Sequence, residues 1–457
     1  MKLPFLTFFR ISPIAVLAVS LGLPFWGCPR PVFADDHDHD HGSQSAAEHG
    51  DDCECEDDRG HDHASGGDFD GAIDWSTGSG FGIGGFLFPE LFAVGVFGES
   101  TGEPEELAAS EHDPQTSATL QSFDIGTVLE AGPLTGFANY EATTNATGDW
   151  TGVLEEGYLK WQALDGLALK GGQFLNSFGF QNQRHIHAWD FVDQYLVNGR
   201  MLNEGELTVI GGETTISLPT PWKSTLTVGG GGIAAHGHGD GEHHHGDEAA
   251  EFDPEGANFD AWVLTGNYRS HYGPDDRMAA TASFAIGENG FGETTQVYGL
   301  GHQRVWGHRT PHNGAGSLLW RTEAMLRDVE AISGGHEDEE EAGHDHHGSE
   351  EHEHGHAERR RASLDEFGAY SMLQYGLCDW ANAAFRAEWV SGIDEMGLDE
   401  RWRLSPALTA WMNRDRTAHA RLQYNYDHGD RIGDEHSIWL QIGISWGGAP
   451  GDHGHEH

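Results

Sequence analysis

The chain has 457 residues, and 74 acidic against 25 basic side chains give it a formal charge of -49. So negative a surface excludes nucleic acid as a partner and makes cations its natural counterpart. Beyond an N-terminal apolar stretch no window of about 18 apolar residues remains, which excludes a bundle of membrane-crossing helices.

In chain order, the first element is a targeting segment. Lys2 and Arg10 precede an apolar stretch from Ile11 to Trp26, and Val32-Phe33-Ala34 then supplies a small-residue cleavage site. Residues 1–34 therefore read as a secretory signal peptide cut after Ala34. Lipidation at Cys28 is the alternative, although bulky Trp26 stands where a lipidation motif takes a small residue. Cleavage after Ala34 leaves Cys53, Cys55 and Cys378, an odd number that gives no disulfide framework. Cys53 and Cys55 are either thiolate ligands for a soft or borderline metal or incidental thiols in a polar tail. That tail, residues 35–68, is rich in Asp and His and reads as disordered and periplasmic.

From 69 to 446 the chain is built of strand-sized runs with period two, separated by polar loops. From Thr417 to Tyr426, Ala418, Ala420, Leu422, Tyr424 and Tyr426 alternate with His419, Arg421, Gln423 and Asn425. Ala383, Phe385, Ala387 and Trp389 stand in the same way against Asn382, Arg386 and Glu388. Leu318, Trp320, Ala324 and Leu326 do so against Arg321, Glu323 and Arg327. A soluble β-sandwich would give a buried face of Val, Ile and Leu; here the apolar faces carry Ala, Tyr and Trp, and the other faces keep charges. That pattern, with negative mean hydropathy, predicts an all-β transmembrane antiparallel barrel whose second residues face a wet lumen.

Sixteen strands are predicted, near residues 86–98, 119–130, 133–142, 153–163, 166–178, 207–218, 224–234, 259–269, 277–286, 296–306, 317–330, 367–377, 381–390, 403–412, 417–427 and 436–446; fourteen would be tolerable. The first is the weakest, being Gly-rich and containing Pro89. With both termini in the periplasm, the long or charged connections all fall on the outer side, as such barrels require. The short ones, such as Ala131-Gly132-Pro133 and Leu164-Asp165-Gly166, fall on the other. A barrel of this size usually leaves an aqueous channel, and the roughly 50 residues before the first strand leave no room for the plug of an energised receptor. The lumen-facing candidates are Arg321, Glu323, Arg327, Arg386, Glu388, His419 and Arg421, mixed in sign, so strict cation selectivity is not inferred. The last run, Ser437 to Trp446, ends in an aromatic and resembles the closing strand of bacterial outer-membrane barrels, which the assembly machinery reads. The tail from Gly447 to His457 departs from that pattern.

Histidine, with 31 copies, carries most of the chemistry. Four tracts stand out: His37, His39 and His41 with His61 and His63; His236, His238, His243, His244 and His245; His344, His346, His347, His352, His354 and His356 within the run from His336; and His453, His455 and His457. Imidazole suits zinc, copper and nickel, and neighbouring carboxylates add charge and oxygen ligands. Such Gly-, Asp- and Glu-rich tracts stay unfolded and exchange several ions quickly. The bland alternative is solvated loops in which histidine is merely tolerated. The strand count puts the two inner tracts outside the cell and the two terminal ones in the periplasm, so metal-binding segments stand at both mouths. Acidic loops such as Glu103 to Glu106 and Glu337 to Glu341 add a field that enriches divalent cations.

The segment from Gly171 to Trp222 contains Asn182, His185, His187, Trp189, Asp190, Phe191, Val192, Asp193 and Gln194 in the pattern N-x-x-H-x-H-x-W-D-F-V-D-Q, followed by a strand ending in L-P-T-P-W. It resembles a family of Gram-negative outer-membrane barrels described as zinc-regulated receptors or porins. Departures are Asn203 and Glu204, where that family usually has glycines, and the missing plug. The resemblance implies an outer-membrane location and an association with zinc. By the strand count the segment is the third outer loop, which in general porins folds inward. His185, His187, Asp190 and Asp193 are then candidate metal ligands at a constriction, while packing by Trp189, Phe191 and Tyr195 is the structural alternative.

These features predict a porin-like channel for passive uptake of small solutes, with zinc or another divalent transition metal bound or transported and no cofactor required. The alternatives are a surface metal-buffering barrel without an open pore, and a TonB-linked zinc receptor lacking a plug. Expected partners are outer-membrane lipid and lipopolysaccharide, the barrel-assembly machinery and metal ions, with homo-oligomers compatible. No nucleophile-base pair and no G-x-S-x-G is found, so no enzyme is expected.

Overall fold

The computed structural model describes residues 86–144, 149–234, 251–307, 314–333, 360–413 and 416–447. The signal segment, the Cys53/Cys55 pair and all four histidine tracts lie outside these residues. Within them the chain forms sixteen antiparallel strands in one closed barrel, each paired with its sequence neighbours and β1 with β16.

The strands are β1 (Leu87–Ser100), β2 (Ala118–Ala131), β3 (Leu134–Thr144), β4 (Trp150–Leu164), β5 (Leu167–Leu175), β6 (Thr208–Leu218), β7 (Lys223–Ile233) and β8 (Phe259–Tyr272). There follow β9 (Met278–Asn289), β10 (Thr294–Trp306), β11 (Leu318–Ile332), β12 (Arg361–Cys378), β13 (Ala381–Val390), β14 (Arg401–Trp411), β15 (Ala418–Gly429) and β16 (Gly433–Gly447). The predicted number is met, including the weak first strand. Pro89 pairs opposite Thr127, and closure runs from Glu90 opposite Gly447 to Ser100 opposite Ser437. Closure removes the sheet edges that would otherwise present unpaired backbone groups.

The two-residue period becomes inside and outside. Along β15, Arg421, Gln423, Asn425 and Asp427 are buried while Leu422 and Tyr424 are exposed; along β16, Gln441 is buried while Ile438, Leu440, Ile442 and Ile444 are exposed. The exposed side chains include Leu159, Trp161, Ile210, Trp262, Leu300 and Phe385, so the outer surface is apolar, and the charged strand residues are gathered inside. That is the inverse of a soluble fold, and it is what hydrocarbon outside a hydrogen-bonded barrel requires. Tight turns close one end. Gly132 (φ 61°) and Gly166 (φ 84°) supply the positive φ that two-residue hairpins with a Gly-Pro or Asp-Gly turn need.

The longest described connection, residues 176–207, does not stay outside. It folds into the lumen, where Phe174, Phe178, Phe191, Tyr195, Leu196, Val197, Met201, Leu202 and Leu207 pack against Val263, Val297, Met325, Tyr370, Met372 and Val390 on the inner wall. Asn182 ties its two ends together, donating to the Asn176 carbonyl at 2.8 Å and accepting from the Leu207 amide at 2.8 Å. The first long connection, 101–117, adds buried Leu107, His112 and Asp113 to the same interior.

Candidate functional site

The inward loop carries the His/Asp segment, and the barrel wall receives it with two arcs, one rich in arginine that also holds Glu323, Glu366, Glu388 and Asp427, the other lined by carboxylates. Arginines project inward from β11 (Arg321, Arg327), β13 (Arg386), β14 (Arg401, Arg403) and β15 (Arg421), and carboxylates from β1 (Glu90), β2 (Asp124), β3 (Glu141) and β4 (Glu155, Glu156); all are buried.

The aspartates of the loop face the arginine arc. Asp193 accepts from Arg386 at 2.6 Å, Arg403 at 2.9 Å, Gln423 at 2.6 Å and Asn425 at 2.8 Å. Asp190 is paired with Arg184 and with Arg321 at 2.9 Å. Burial alone would raise both carboxyls, but the facing guanidiniums outweigh it: Arg386 and Arg403 hold Asp193, and Arg184 and Arg321 hold Asp190, below the usual aspartate range. Backbone groups dock on the same arc. Arg421 donates to the Trp189 and Phe191 carbonyls at 2.7 and 2.8 Å, and Glu388 accepts from the Leu196 amide at 2.7 Å. Arg386 also lies over the rings of Phe191 and Tyr195, at 4.5 and 5.0 Å from their centroids, and Tyr195 stacks on Tyr370.

The histidines face the acidic arc. His185 sits between two consecutive glutamates, with Nδ1 2.7 Å from Glu155 Oε1 and Nε2 2.9 Å from Glu156 Oε2. Strict alternation would send one of these glutamates outward. The pairing of β3 with β4 slips between Asn139 and Tyr140, so Glu155 is an extra residue and both side chains point into the lumen. Burial would lower the His185 pKa, but Glu155 and Glu156 lift it well above its ordinary value, and each ring nitrogen faces one of the two carboxylates. His187 stacks on Phe92, with centroids 3.9 Å apart. His112, from the first long connection, lies 3.6 Å from Glu141 and 4.0 Å from Glu206. Burial again lowers its pKa and the carboxylates, Glu141 foremost, overcome it and raise it to about 10; burial pushes Glu206 up to about 7.

Two sequence expectations are corrected. His185, His187, Asp190 and Asp193 do not form one ligand set: the aspartates are taken by arginines on one arc, and the histidines lie against the other. The packing role expected of Trp189, Phe191 and Tyr195 is what they have, at 2 % exposure or less. The lumen candidates face inward, but Arg321, Glu323, Arg327, Arg386, Glu388 and Arg421 are 5 % exposed or less. The loop covers them, and they hold it instead of lining an open bore. Glu323 accepts from the Phe180 amide at 2.7 Å, and Arg327 pairs with Glu366, which also takes Arg200 from the loop at 3.2 Å. His419 is half-buried beside Gln441.

Between the loop and the short-turn end lies a cavity of about 1720 Å³, counting the part open to solvent. Lys160, Lys170, Arg184, Arg269 and Arg321 line it together with Glu130, Glu156 and Glu213. Of the seven lumen candidates, Arg321 reaches it. Period-two reading missed Glu155, because the bulge hides it, and missed His112 and Asp113, whose connection has no period. The presence of acids at adjacent strand positions was the available signal for a bulge.

No family model and no curated protein matches the chain. Among solved structures it is similar to OprB of Pseudomonas putida, at 10% identity over 79% of this chain and 94% of that one, with a TM-score of 0.49. It is also similar to the outer membrane channel DcaP of Acinetobacter baumannii, at 11% identity, 80% and 100% coverage and a TM-score of 0.47. A third likeness is to an anion-selective porin from Comamonas acidovorans, at 6% identity, 79% and 99% coverage and a TM-score of 0.46.

Proposed function

We propose that the chain is an outer-membrane channel of the porin kind, passing small solutes without energy input, with divalent metal, zinc foremost, as the solute its histidine tracts gather. The observation that carries this reading is a closed barrel with an apolar outer surface, whose lumen is partitioned by an inward loop held between an arginine arc and a carboxylate arc. A barrel that serves only as an anchor has no use for a charge-sorted constriction; a filter does. The secretory leader, the closing aromatic strand and the resemblance of residues 171–222 to zinc-regulated barrels support the outer membrane and the metal. On this reading the outer tracts concentrate ions at the entrance and the terminal tracts accept them in the periplasm. Lipid and lipopolysaccharide contact the apolar surface, and the assembly machinery reads β16.

Conductance of purified protein in planar bilayers, with and without zinc, is the test. A steady open-channel current that zinc alters is expected. Zero current would favour a second reading, a metal-holding barrel without an open passage, for which the close burial of Arg386, Arg403 and Arg421 beneath the loop is the specific support.

A further inference from the structure

The cavity beneath the inward loop presents N–H donors for which the protein supplies no acceptor. Lys160 on β4 and Lys170 on β5 are direct cross-strand partners, and both line the cavity. Like charges in directly opposite positions destabilise a sheet. Glu213 offsets Lys170 at 2.7 Å, but among the described residues no carboxylate pairs with Lys160. The carboxylates nearby are engaged elsewhere: Glu213 also accepts from the Ser177 amide at 2.8 Å, and Glu156 takes His185 and the Leu175 amide. Glu130 stands at the end of β2, beside the short turn.

The wall on the other side repeats the pattern. Arg321 on β11 gives Nε to Gln303 Oε1 at 2.8 Å and one Nη to Asp190 at 2.9 Å, and its other Nη has no acceptor among the described residues. Asn267 on β8 accepts from Thr281 on Oδ1 at 2.5 Å, and its amide nitrogen donates to none of them. Both residues line the cavity and neither nitrogen is enclosed by protein, so each is presented to whatever fills it. Between these walls β6 and β7 turn Thr215, Thr225 and Thr227 inward, and the Thr215 and Thr227 hydroxyls are hydrogen-bonded at 3.0 Å. Hydroxyls of this kind both donate and accept.

We infer that the cavity is a binding site for a small hydroxylated dicarboxylate, with one carboxylate on Lys160, the other on Arg321, and the hydroxyls on the threonines and Asn267. A neutral sugar would leave the ammonium and the guanidinium without a counter-charge. An unsubstituted diacid would leave the threonines and the Asn267 amide without partners, and a polar group shut away from water unpaired is costly. The inference goes beyond the channel reading and does not depend on it. Such acids offer oxygen ligands to divalent cations, so the two are compatible.

The test is calorimetric titration of the full chain in detergent micelles, stripped of metal with chelator. The probes are glucarate, a hydroxylated dicarboxylate, adipate, which lacks the hydroxyls, and glucitol, which lacks the acids. One glucarate per chain is expected, with adipate and glucitol each weaker by about tenfold or more, as lost hydrogen bonds to charged or polar donors require. Lys160→Gln changes a side chain that solvent reaches and relieves the opposed lysines. The variant should therefore unfold no earlier than the wild type and bind glucarate about tenfold more weakly. Thr215→Val should narrow the preference for glucarate over adipate and leave the affinity for adipate unchanged; it carries the comparison if Lys160→Gln does not assemble. The site is overturned by absence of glucarate binding in the wild type, or by adipate or inorganic phosphate binding as tightly as glucarate. Equal glucarate affinity in a folded Lys160→Gln, or an unchanged preference in Thr215→Val, overturns it too. Glucarate binding with no bilayer current would remove the channel and leave the site.

Discussion

Asp193→Ala removes a carboxylate that two arginines and two amides of the barrel wall all bind, and its effect can be sized from the geometry. Asp193, Arg386 and Arg403 are 4 %, 0 % and 1 % exposed, so solvent does little to screen the pairs. Taking one partner from a buried pair costs about 3–5 kcal/mol, mostly for the charge left behind. Arg386 keeps Glu388 at 2.7 Å and Arg403 keeps Asp427 at 2.9 Å. Neither guanidinium is stranded, and the cost falls near the lower end, about 3 kcal/mol. At about 1.4 kcal/mol per tenfold, the equilibrium between docked and released loop shifts roughly a hundredfold toward release. The barrel's own strand ladder is untouched. Limited proteolysis within residues 176–207, with cleavage slow enough that its rate follows the released population, reads this shift directly. A rise of about a hundredfold is expected for Asp193→Ala. Little change is expected for Asp434→Ala, which breaks an exposed pair with His428. Wild-type cleavage of Asp193→Ala would refute the assignment of the loop's anchorage to the arginine arc.

The same anchorage fixes a pH dependence. Asp190 and Asp193 have pKa values depressed below the ordinary 3.8, so the stabilisation they give is complete above that value and is lost only as pH falls through the lowered ones. As far as these two aspartates govern it, proteolysis of the loop should show no rise from neutral pH down to about 4 and should rise only in stronger acid; a rise already centred near pH 6 would point to other groups. Deleting residues 35–65 and 448–457 should lower metal accumulation by cells in limiting zinc and leave single-channel conductance unchanged. Unchanged accumulation would remove the hand-off role of the terminal tracts.

The barrel was legible because its signal is local and repeated. The alternation of Leu422 and Tyr424 with Arg421 and Gln423 recurs along the chain, and the parity of long and short connections constrains the count. The constriction was legible in place but not in chemistry. From sequence, two histidines and two aspartates within nine residues look like one ligand set, whereas each finds its partner across the lumen: Asp193 on Arg386 and Arg403, 193 and 210 residues away, and His185 on Glu155. Such pairings follow from closure of the barrel, which no local pattern encodes. Glu155 was hidden for a second reason, since a one-residue slip reverses the face of a side chain. His112 and Asp113 lie in a connection whose burial comes only from the loop it meets.

The most direct test of the central claim is zinc entry into proteoliposomes containing the purified full-length protein, followed with a trapped zinc indicator under a zinc gradient and no energy source. Entry well above that into protein-free vesicles, running down the gradient in either direction, is the predicted result. Entry no faster than into empty vesicles, with the protein correctly folded, would contradict it.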